Sequence, residues 1–335
     1  MPPPAPPESF FRPEDREFLA RELSEFLPDR IFDAHCHLLE PGCAAPLPNG
    51  MARPIGLGEY HAHVDPLHGG RTIGALFLPF PQPRERAALA GEWIGQAVSE
   101  DPACRGFYLV SPEDDPEQVR DQVKQYGLHG LKCYHTLSAR KPTWEADIPD
   151  YLPEGLVRVA HEEGWAITLH MVKSRAVADP ENRRWIRRYC EQYPGMRLIL
   201  AHSARGFQPA HNLEGLPELV GLNNLYFDTS ANCEPMAHLA VLRLFGPERL
   251  MYGSDFWVSH LRGRSLGAAD SFLWLYEDTP VWGEKHVQVH PVLVGLEHLR
   301  SVKWACWAAG LTRPEVEAVF YSTAAQLFGI GDGGG

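Results

Sequence analysis

The sequence lacks the signals that mark secreted, membrane-spanning and disulfide-rich proteins. Its seven cysteines are odd in number and form no Cys-x-x-Cys pair, so neither a disulfide framework nor a zinc knuckle is predicted. It has no run of about 18 apolar residues, which is the length that a membrane-spanning helix needs. Residues 1–7 are mostly proline and contain no basic stretch followed by an apolar one, so no signal peptide is predicted. We therefore expect a cytoplasmic protein.

Positive charge is also scarce in this chain. Its 31 lysines and arginines stand against 43 aspartates and glutamates, which gives a formal net charge of −12. Nucleic acids and bilayer surfaces are polyanionic, so this balance argues against both as partners. The charged fraction of 22% and hydrophobic fraction of 44% are ordinary for a globular protein, and a small-molecule substrate is the expected partner.

Eight short apolar runs, most of them separated by helical patterns, indicate an α/β fold. Continuous apolar runs are typical of buried parallel strands, and eight strands alternating with helices predict a (β/α)8 TIM barrel. A doubly wound open sheet is the alternative, but its first turn is usually rich in glycine. Here the first run leads into His-Cys-His instead. The runs are Arg30–Asp33, Thr72–Leu78, Gly106–Val110, Gly130–Tyr134, Ala166–Leu169, Leu198–Ala201, Leu225–Phe227 and Leu250–Tyr252.

The chain divides into three parts. Residues 1–29 are predicted to form a proline-rich extension followed by a helix from Pro13 to Phe26, because apolar residues recur there at helical spacing. The barrel is expected to span residues 30–330. The glycine-rich residues 331–335 are expected to form a flexible tail.

Two segments are too long to be simple connections. They cover about residues 38–71 and 257–300, and long insertions at the C-terminal face of a barrel usually shape the substrate pocket. The second contains the aromatic run Phe272–Tyr276 and Trp282. These side chains suit either a planar ligand or a contact between subunits, and we favour a homodimer.

Metal-ligand residue types follow several of the apolar runs. His35 and His37 follow the first run and, being two residues apart on a strand, face the same side, so both imidazoles can bind one ion. His170, His202 and Asp255 follow later runs. The C-terminal ends of barrel strands meet at one face, so these side chains are expected to converge. Imidazoles with a carboxylate suit zinc, or alternatively manganese, iron or cobalt.

These motifs resemble the amidohydrolase superfamily, and specifically the amidohydrolase-2 branch of metal-dependent TIM-barrel hydrolases and decarboxylases. The resemblance covers about residues 30–330. It implies that His35, His37, His170 and Asp255 bind the metal, and that His202 either binds a second metal or polarises the substrate. The matching segments are Phe32–His37, Gly130–Lys132, Leu169–His170, Leu200–His202, Tyr252–Asp255 and Ala324–Gly329.

Lys132, at the end of the fourth predicted strand, has three interpretations. In binuclear members of the superfamily a lysine on this strand is carboxylated and bridges two metals, and His170 and His202 would then hold the second ion. Alternatively Lys132 stays an ammonium that binds a substrate carboxylate, or it only neutralises nearby acidic groups.

Three further residues are candidates for substrate contact. Alternation along the strand places Tyr134 on the same face as Lys132. Arg205, three residues after His202, could clamp an anionic substrate through two hydrogen bonds, or it could be an ordinary ion-paired arginine. Trp257, two residues after Asp255, could line the pocket or pack in the core.

The leading hypothesis is a metal-dependent hydrolase in which a metal-activated water attacks an amide, cyclic amide or lactone carbonyl and Asp255 handles the proton. Zinc is the expected ion, with one or two bound per chain. The alternative is a lyase, namely a metal-dependent non-oxidative decarboxylase of an aromatic or unsaturated carboxylic acid. A barrel that has lost its chemistry is disfavoured, because every expected ligand is present in the sequence.

Overall fold

The computed structural model describes residues 10–48, 51, 53–280 and 290–331. Its parallel strands follow one another in chain order, in one sheet from β1 to β3 and a second from β4 to β9. The strands are β1 (Arg30–His37), β2 (Thr72–Leu78), β3 (Arg105–Gly106), β4 (Tyr108–Val110), β5 (Gly130–Tyr134), β6 (Ala166–His170), β7 (Arg197–Leu200), β8 (Leu225–Asp228) and β9 (Leu250–Met251).

The two sheets form one closed ring, which makes the fold the predicted (β/α)8 barrel. The third predicted run is interrupted at Phe107, whose amide still donates to the carbonyl of Phe77 on β2 (3.0 Å), so β3 and β4 together occupy one position in the ring. At the other edge, the amide of Ala34 on β1 donates to the carbonyl of Tyr252, just after β9 (2.8 Å). All strand ends therefore meet at one face.

Helices cover the outside of the ring and follow the predicted alternation. Two of them begin at an Asp-Pro pair in which the aspartate caps the helix: Asp115 before α4 and Asp179 before α6. The helices are α1 (Pro13–Phe18), α2 (Leu57–Leu67), α3 (Ala87–Glu100), α4 (Pro116–Gln125), α5 (Glu154–Glu163), α6 (Pro180–Gln192), α7 (Ala201–Arg205), α8 (Pro209–Gly215), α9 (Pro235–Phe245), α10 (Val294–Ala309), α11 (Arg313–Glu317) and α12 (Thr323–Phe328). A π-helical turn, Leu19–Leu23, continues α1.

Both long insertions contain structure of their own. The first includes α2 and an antiparallel bridge between Leu39 and Ile55. The second includes an antiparallel hairpin of β10 (Gly263–Ala268) and β11 (Ser271–Tyr276) and the start of α10. Trp282 lies outside the described residues, as do residues 1–9 of the predicted extension and residues 332–335 of the predicted tail.

Apolar side chains occupy the part of the barrel interior near the strand starts. A cluster separate from the main core joins residues of β1, β2, β6, β7 and β9 to Phe328 of α12, whose ring stacks on Phe32 at 5.7 Å. Polar side chains are therefore left to the opposite end, where the strands finish. None of the helices in the described part of the chain is long and apolar enough to cross a membrane.

Candidate metal centre

Three of the predicted ligands form one compact group at the ends of the strands. Each of His35, His37 and Asp255 offers a ligand atom, and these atoms lie within 4.8 Å of one another. Nε2 of His37 is 3.3 Å from Oδ1 of Asp255, and Nε2 of His35 is 3.6 Å from the same oxygen. All three side chains are buried. Buried groups of this kind need either a proton shared between them or a bound cation.

The hydrogen bonds behind the two histidines prepare them to bind a metal. Nδ1 of His35 is 2.9 Å from Oδ2 of Asp228, and Nδ1 of His37 donates to the carbonyl of Leu78 at 2.8 Å. With the proton of each ring on Nδ1, the lone pair lies on Nε2, which faces Asp255. Two imidazole nitrogens and a carboxylate oxygen therefore fit a zinc-like divalent ion.

Asp33 fixes the backbone next to Asp255 through hydrogen bonds from Ser254. The Asp33 carboxylate accepts hydrogen bonds from the amide of Ser254 at 2.7 Å and from the hydroxyl of Tyr60 at 2.9 Å. Its burial raises the pKa of Asp33 to about 6. Asp255 itself has a φ of 54°, which is a strained conformation for a residue other than glycine, and its amide donates to the carbonyl of His35 at 2.7 Å.

Asp228, at the end of β8, also belongs to the site, although no sequence motif singles it out. Besides meeting His35, its carboxylate accepts from the amide of His202 at 3.0 Å and from that of Ser230 at 3.1 Å. Burial alone would raise the pKa of Asp228, but His35 and His202 outweigh it and lower that pKa. The signal was available, because Asp228 follows the apolar run Leu225–Phe227 directly.

His202 lies between this group and His170. Its ring centre is 5.1 Å from that of His35 and 5.2 Å from that of His170. Nδ1 of His202 is 2.9 Å from the carbonyl oxygen of Ser230 and 4.0 Å from Oδ2 of Asp255. With its proton on Nδ1, His202 donates a hydrogen bond to the carbonyl oxygen of Ser230. The lone pair of Nε2 is then available to a ligand.

The segment that carries His202 is a left-handed turn rather than an ordinary helix. His202, Ser203, Ala204 and Arg205 all have φ between 50° and 60°. Such a conformation costs roughly 1–2 kcal/mol for each residue other than glycine. Side-chain bonds from Asn212 to the carbonyl of Ser203 (2.8 Å) and from Asn232 to that of His202 (3.1 Å) hold the turn.

Next to His202 lies a patch of four buried or half-buried side chains, three of which carry polar atoms without a partner among the described residues. We call Lys132, Tyr134, Thr168 and His170 the Lys132 face. Lys132 pairs in register with Thr168, and Tyr134 with His170, across the neighbouring strands β5 and β6. Nζ of Lys132, Oγ1 of Thr168 and Nδ1 of His170 are buried and have no hydrogen-bond partner in the part of the chain that the structure describes.

Lys132 and His170 are both driven towards their neutral forms. Burial lowers the pKa of Lys132 to about 8, and burial together with the charge of His202 lowers the pKa of His170 well below its ordinary value. Nζ of Lys132 lies 4.8 Å from the centre of the Tyr134 ring, as alternation along the strand predicted. Tyr134 itself donates its hydroxyl proton to the carbonyl of Pro79 at 2.9 Å.

Trp257 lines a cavity of about 780 Å³, and the residues described along that cavity include none of the candidate ligands. Its side chain is buried, and its indole N–H has no hydrogen-bond partner among the residues described. The ring is 6.1 Å from that of Phe80, which in turn is 5.9 Å from that of His37.

Comparison with solved structures gives barrel proteins of low sequence identity that match over nearly their whole length. A 5-carboxyvanillate decarboxylase from Sphingomonas paucimobilis is 13% identical, with a TM-score of 0.57 over 91% of this chain and 100% of that one. A probable 2-pyrone-4,6-dicarboxylic acid hydrolase from Acinetobacter baumannii is 14% identical, with a TM-score of 0.55 over 89% and 99%. An amidohydrolase from Burkholderia multivorans with bound zinc is 16% identical, with a TM-score of 0.58 over 90% and 99%.

These likenesses support the fold alone, because all three identities are low. No curated protein matches the sequence. The family model described as Amidohydrolase (Amidohydro_2) matches residues 32–330, which include every candidate ligand and all of the barrel strands except the first two residues of β1. The chain is therefore a member of the amidohydrolase-2 family of enzymes.

Proposed function

We propose that this protein is a metal-dependent hydrolase that cleaves an amide, a cyclic amide or a lactone. The observation that supports this most directly is the compact group of His35, His37 and Asp255, whose ligand atoms already face one another. His35, His37 and Asp255 would hold one ion, zinc in the first instance. When bound, such an ion polarises a carbonyl and makes water more acidic.

Asp255 is the proposed general base. One of its oxygens faces His35 and His37, while Oδ2 is turned towards His202. This carboxylate can therefore take the proton of the attacking water and return it to the leaving group.

The Lys132 face supports a second ion in the same site. His202 offers the lone pair of Nε2, and His170 and Lys132 lie beside it without hydrogen-bond partners for Nδ1 and Nζ. Carbon dioxide can add to the neutral amine of Lys132. An Nζ–C bond forms, one proton leaves, and the product is a carbamate anion. This reaction would replace a buried amine by an anionic ligand, which is the form that a second divalent ion requires.

Decarboxylation is the second candidate, and the same lysine supports it. If Lys132 remains an ammonium, it is a buried cation without a hydrogen-bond acceptor and can bind a substrate carboxylate. Decarboxylases are also among the structural relatives. The two functions therefore differ in the chemical state of one side chain.

The deciding experiment measures the chemical state of the Lys132 side chain together with the activity of the protein. Protein incubated with 13C-labelled bicarbonate is examined by 13C NMR, and hydrolysis of lactones and cyclic amides is compared with decarboxylation of aromatic acids. The hydrolase proposal predicts a carbamate signal that is absent from Lys132→Ala, and hydrolytic activity that Lys132→Ala loses and propionate partly restores. Release of CO2 from aromatic acids by a protein without a carbamate would contradict it.

A further inference from the structure

His238, on α9, is a buried histidine that lies against the left-handed turn carrying His202. Nδ1 of His238 is 2.7 Å from Oγ of Ser203, and Nε2 is 2.9 Å from the carbonyl oxygen of Asn232. Both ring nitrogens of His238 therefore have partners. One of those partners is the residue that directly follows His202 in the chain.

The direction of these hydrogen bonds follows from the state of the His238 ring. Burial lowers the pKa of His238 to about 4, so the ring is neutral and carries one proton. A carbonyl oxygen can only accept, so that proton lies on Nε2 and is donated to Asn232, with Oγ of Ser301 also within reach at 3.1 Å. Nδ1 then accepts the hydroxyl proton of Ser203.

Asn232 connects His238 to the same turn by a second route. Its side-chain amide donates to the carbonyl of His202 at 3.1 Å, while its backbone carbonyl accepts from His238. His238 therefore holds the side chain of Ser203 and also the residue that binds the carbonyl of His202.

The turn needs such hydrogen bonds because its own backbone conformation is unfavourable. Four successive residues, from His202 to Arg205, have φ between 50° and 60°, which residues other than glycine avoid. At the far end, Nη1 of Arg205 donates to the carbonyl of Lys173 at 2.8 Å. His238 acts at the near end, where the ring of His202 has its Nδ1 2.9 Å from the carbonyl oxygen of Ser230. A turn that relaxed to ordinary φ values would move that ring.

We propose that His238 is a positioning residue, which holds the left-handed turn through Ser203 and thereby fixes the ring of His202 at the candidate metal centre. The role of His202 in the reaction rests on the proposed function, whereas the orientation of its ring does not. His298 on α10 provides a matched comparison. Its ring centre is 5.8 Å from that of His238, and it is equally buried, but neither of its nitrogens has a hydrogen-bond partner in the part of the chain described.

The test observes the His202 ring by 1H–15N NMR in protein stripped of metal with 1,10-phenanthroline. A buried ring N–H that donates to a carbonyl is protected from exchange with water. His202 and His37 each have such a proton on Nδ1, which faces the carbonyl of Ser230 or of Leu78. The two signals are assigned from their absence in His202→Asn and His37→Asn, and His37 then serves as the internal reference.

The variants separate the hydrogen bond to Ser203 from general packing. His238→Phe and Ser203→Ala each remove that bond, and His238→Asn keeps a side-chain acceptor for it. His298→Phe is the control, because it changes a neighbouring buried ring that has no bond to the turn. Melting curves verify that each variant is folded.

The proposal predicts that the His202 proton exchanges at least about 10-fold faster in His238→Phe and in Ser203→Ala, while the His37 proton is unchanged. The double variant should exchange no faster than either single one, because both remove the same bond. His238→Asn should show an intermediate rate, and His298→Phe the wild-type rate. An unchanged His202 signal in the two folded single variants, or equal acceleration of the His37 proton, would overturn the proposal.

Activity measurements distinguish this inference from the proposed function. If the protein is a hydrolase, kcat of His238→Phe should fall by about 10- to 100-fold with KM within about threefold, the size of effect typical of residues that orient a metal ligand. A wild-type protein that hydrolyses nothing, while its variants show the predicted change at His202, would refute the proposed function and leave the positioning role of His238 intact.

Discussion

The two halves of the candidate site differ in how completely their polar atoms are bonded. On the side of His35 and His37, each Nδ1 has an acceptor, and Asp228 accepts from two backbone amides as well. On the Lys132 face, three buried polar atoms have no hydrogen-bond partner in the described part of the chain. The side chains of both halves are buried or nearly buried within the same barrel, so burial alone does not explain the difference.

This contrast separates side chains that are already oriented before a metal binds from side chains whose hydrogen bonds are completed only by a ligand. A fully bonded network fixes the rings in one orientation, and a metal can then bind without reorganisation. Buried atoms without partners lower stability, and proteins keep them mainly where a function requires them. The His35 side is therefore expected to lose stability when it is altered, whereas the Lys132 face is expected to gain it.

Replacing His37 by Asn should have the largest effect. It removes the ligand whose Nε2 is 3.3 Å from Asp255, so the bound ion should be lost. Activity should fall by roughly 1,000-fold, since an ion of this kind supplies several kcal/mol of transition-state stabilisation. Elemental analysis and kcat/KM measure both effects. His61→Asn is the control, because His61 lies outside the ligand group and pairs with Asp65; equal metal loss in both variants would contradict the assignment.

Lys132→Met should abolish activity and stabilise the metal-free protein. Methionine fills a similar volume without an amine to desolvate, so the free energy of unfolding should rise by about 1–3 kcal/mol. Urea-induced unfolding of metal-free wild type and variant measures the change. The control Lys124→Met, at an exposed ion pair with Glu163, should change stability by less than about 0.5 kcal/mol. A destabilised Lys132→Met would mean that the amine has a structural partner.

Asp228→Asn should lower the stability of the protein, whereas Lys132→Met should raise it. The amide keeps the shape of the side chain but weakens its bonds to His35 and His202, so metal affinity should fall by about 10- to 100-fold. The free energy of unfolding should fall too, by about 1–3 kcal/mol, because a buried charged hydrogen bond is lost. Competition with a metal indicator and urea titration measure the two changes. Unaltered metal affinity would show that Asp228 does not orient His35.

Thr168→Val should have the smallest effect. Valine has nearly the same shape and removes a buried hydroxyl oxygen that has no hydrogen-bond partner in the structure as described. A gain of about 1 kcal/mol in the free energy of unfolding is expected, with kcat/KM within about twofold of the wild type. Lost activity would instead place the hydroxyl in contact with a ligand.

The sequence predicted the strand ends well, and with them the sites of the candidate ligands. The predicted runs before His35, His170 and Asp255 each end within about four residues of the end of the strand in the structure. The helical patterns expected between the runs are likewise present, as α3, α4, α5, α6 and α9. The break at Phe107 could not be predicted, because the run Gly106–Val110 is apolar throughout.

Two features of the site lay beyond sequence reasoning for different reasons. Asp228 had a visible signal, but a single aspartate after a strand does not reveal that it will meet His35, 193 positions away. The left-handed turn has no local signal, because Ser203, Ala204 and Arg205 disfavour positive φ. Tertiary hydrogen bonds maintain it, among them those from Asn212 and Asn232.

The most direct test of the central claim is the metal content of wild-type protein and of His37→Asn, both purified without added metal and measured by elemental analysis. We predict that the wild type carries at least one divalent ion per chain, with a second when Lys132 is carboxylated, and that His37→Asn carries none at the same site. A folded wild-type protein that binds no divalent ion, even after reconstitution with zinc, manganese, iron or cobalt, would contradict the account.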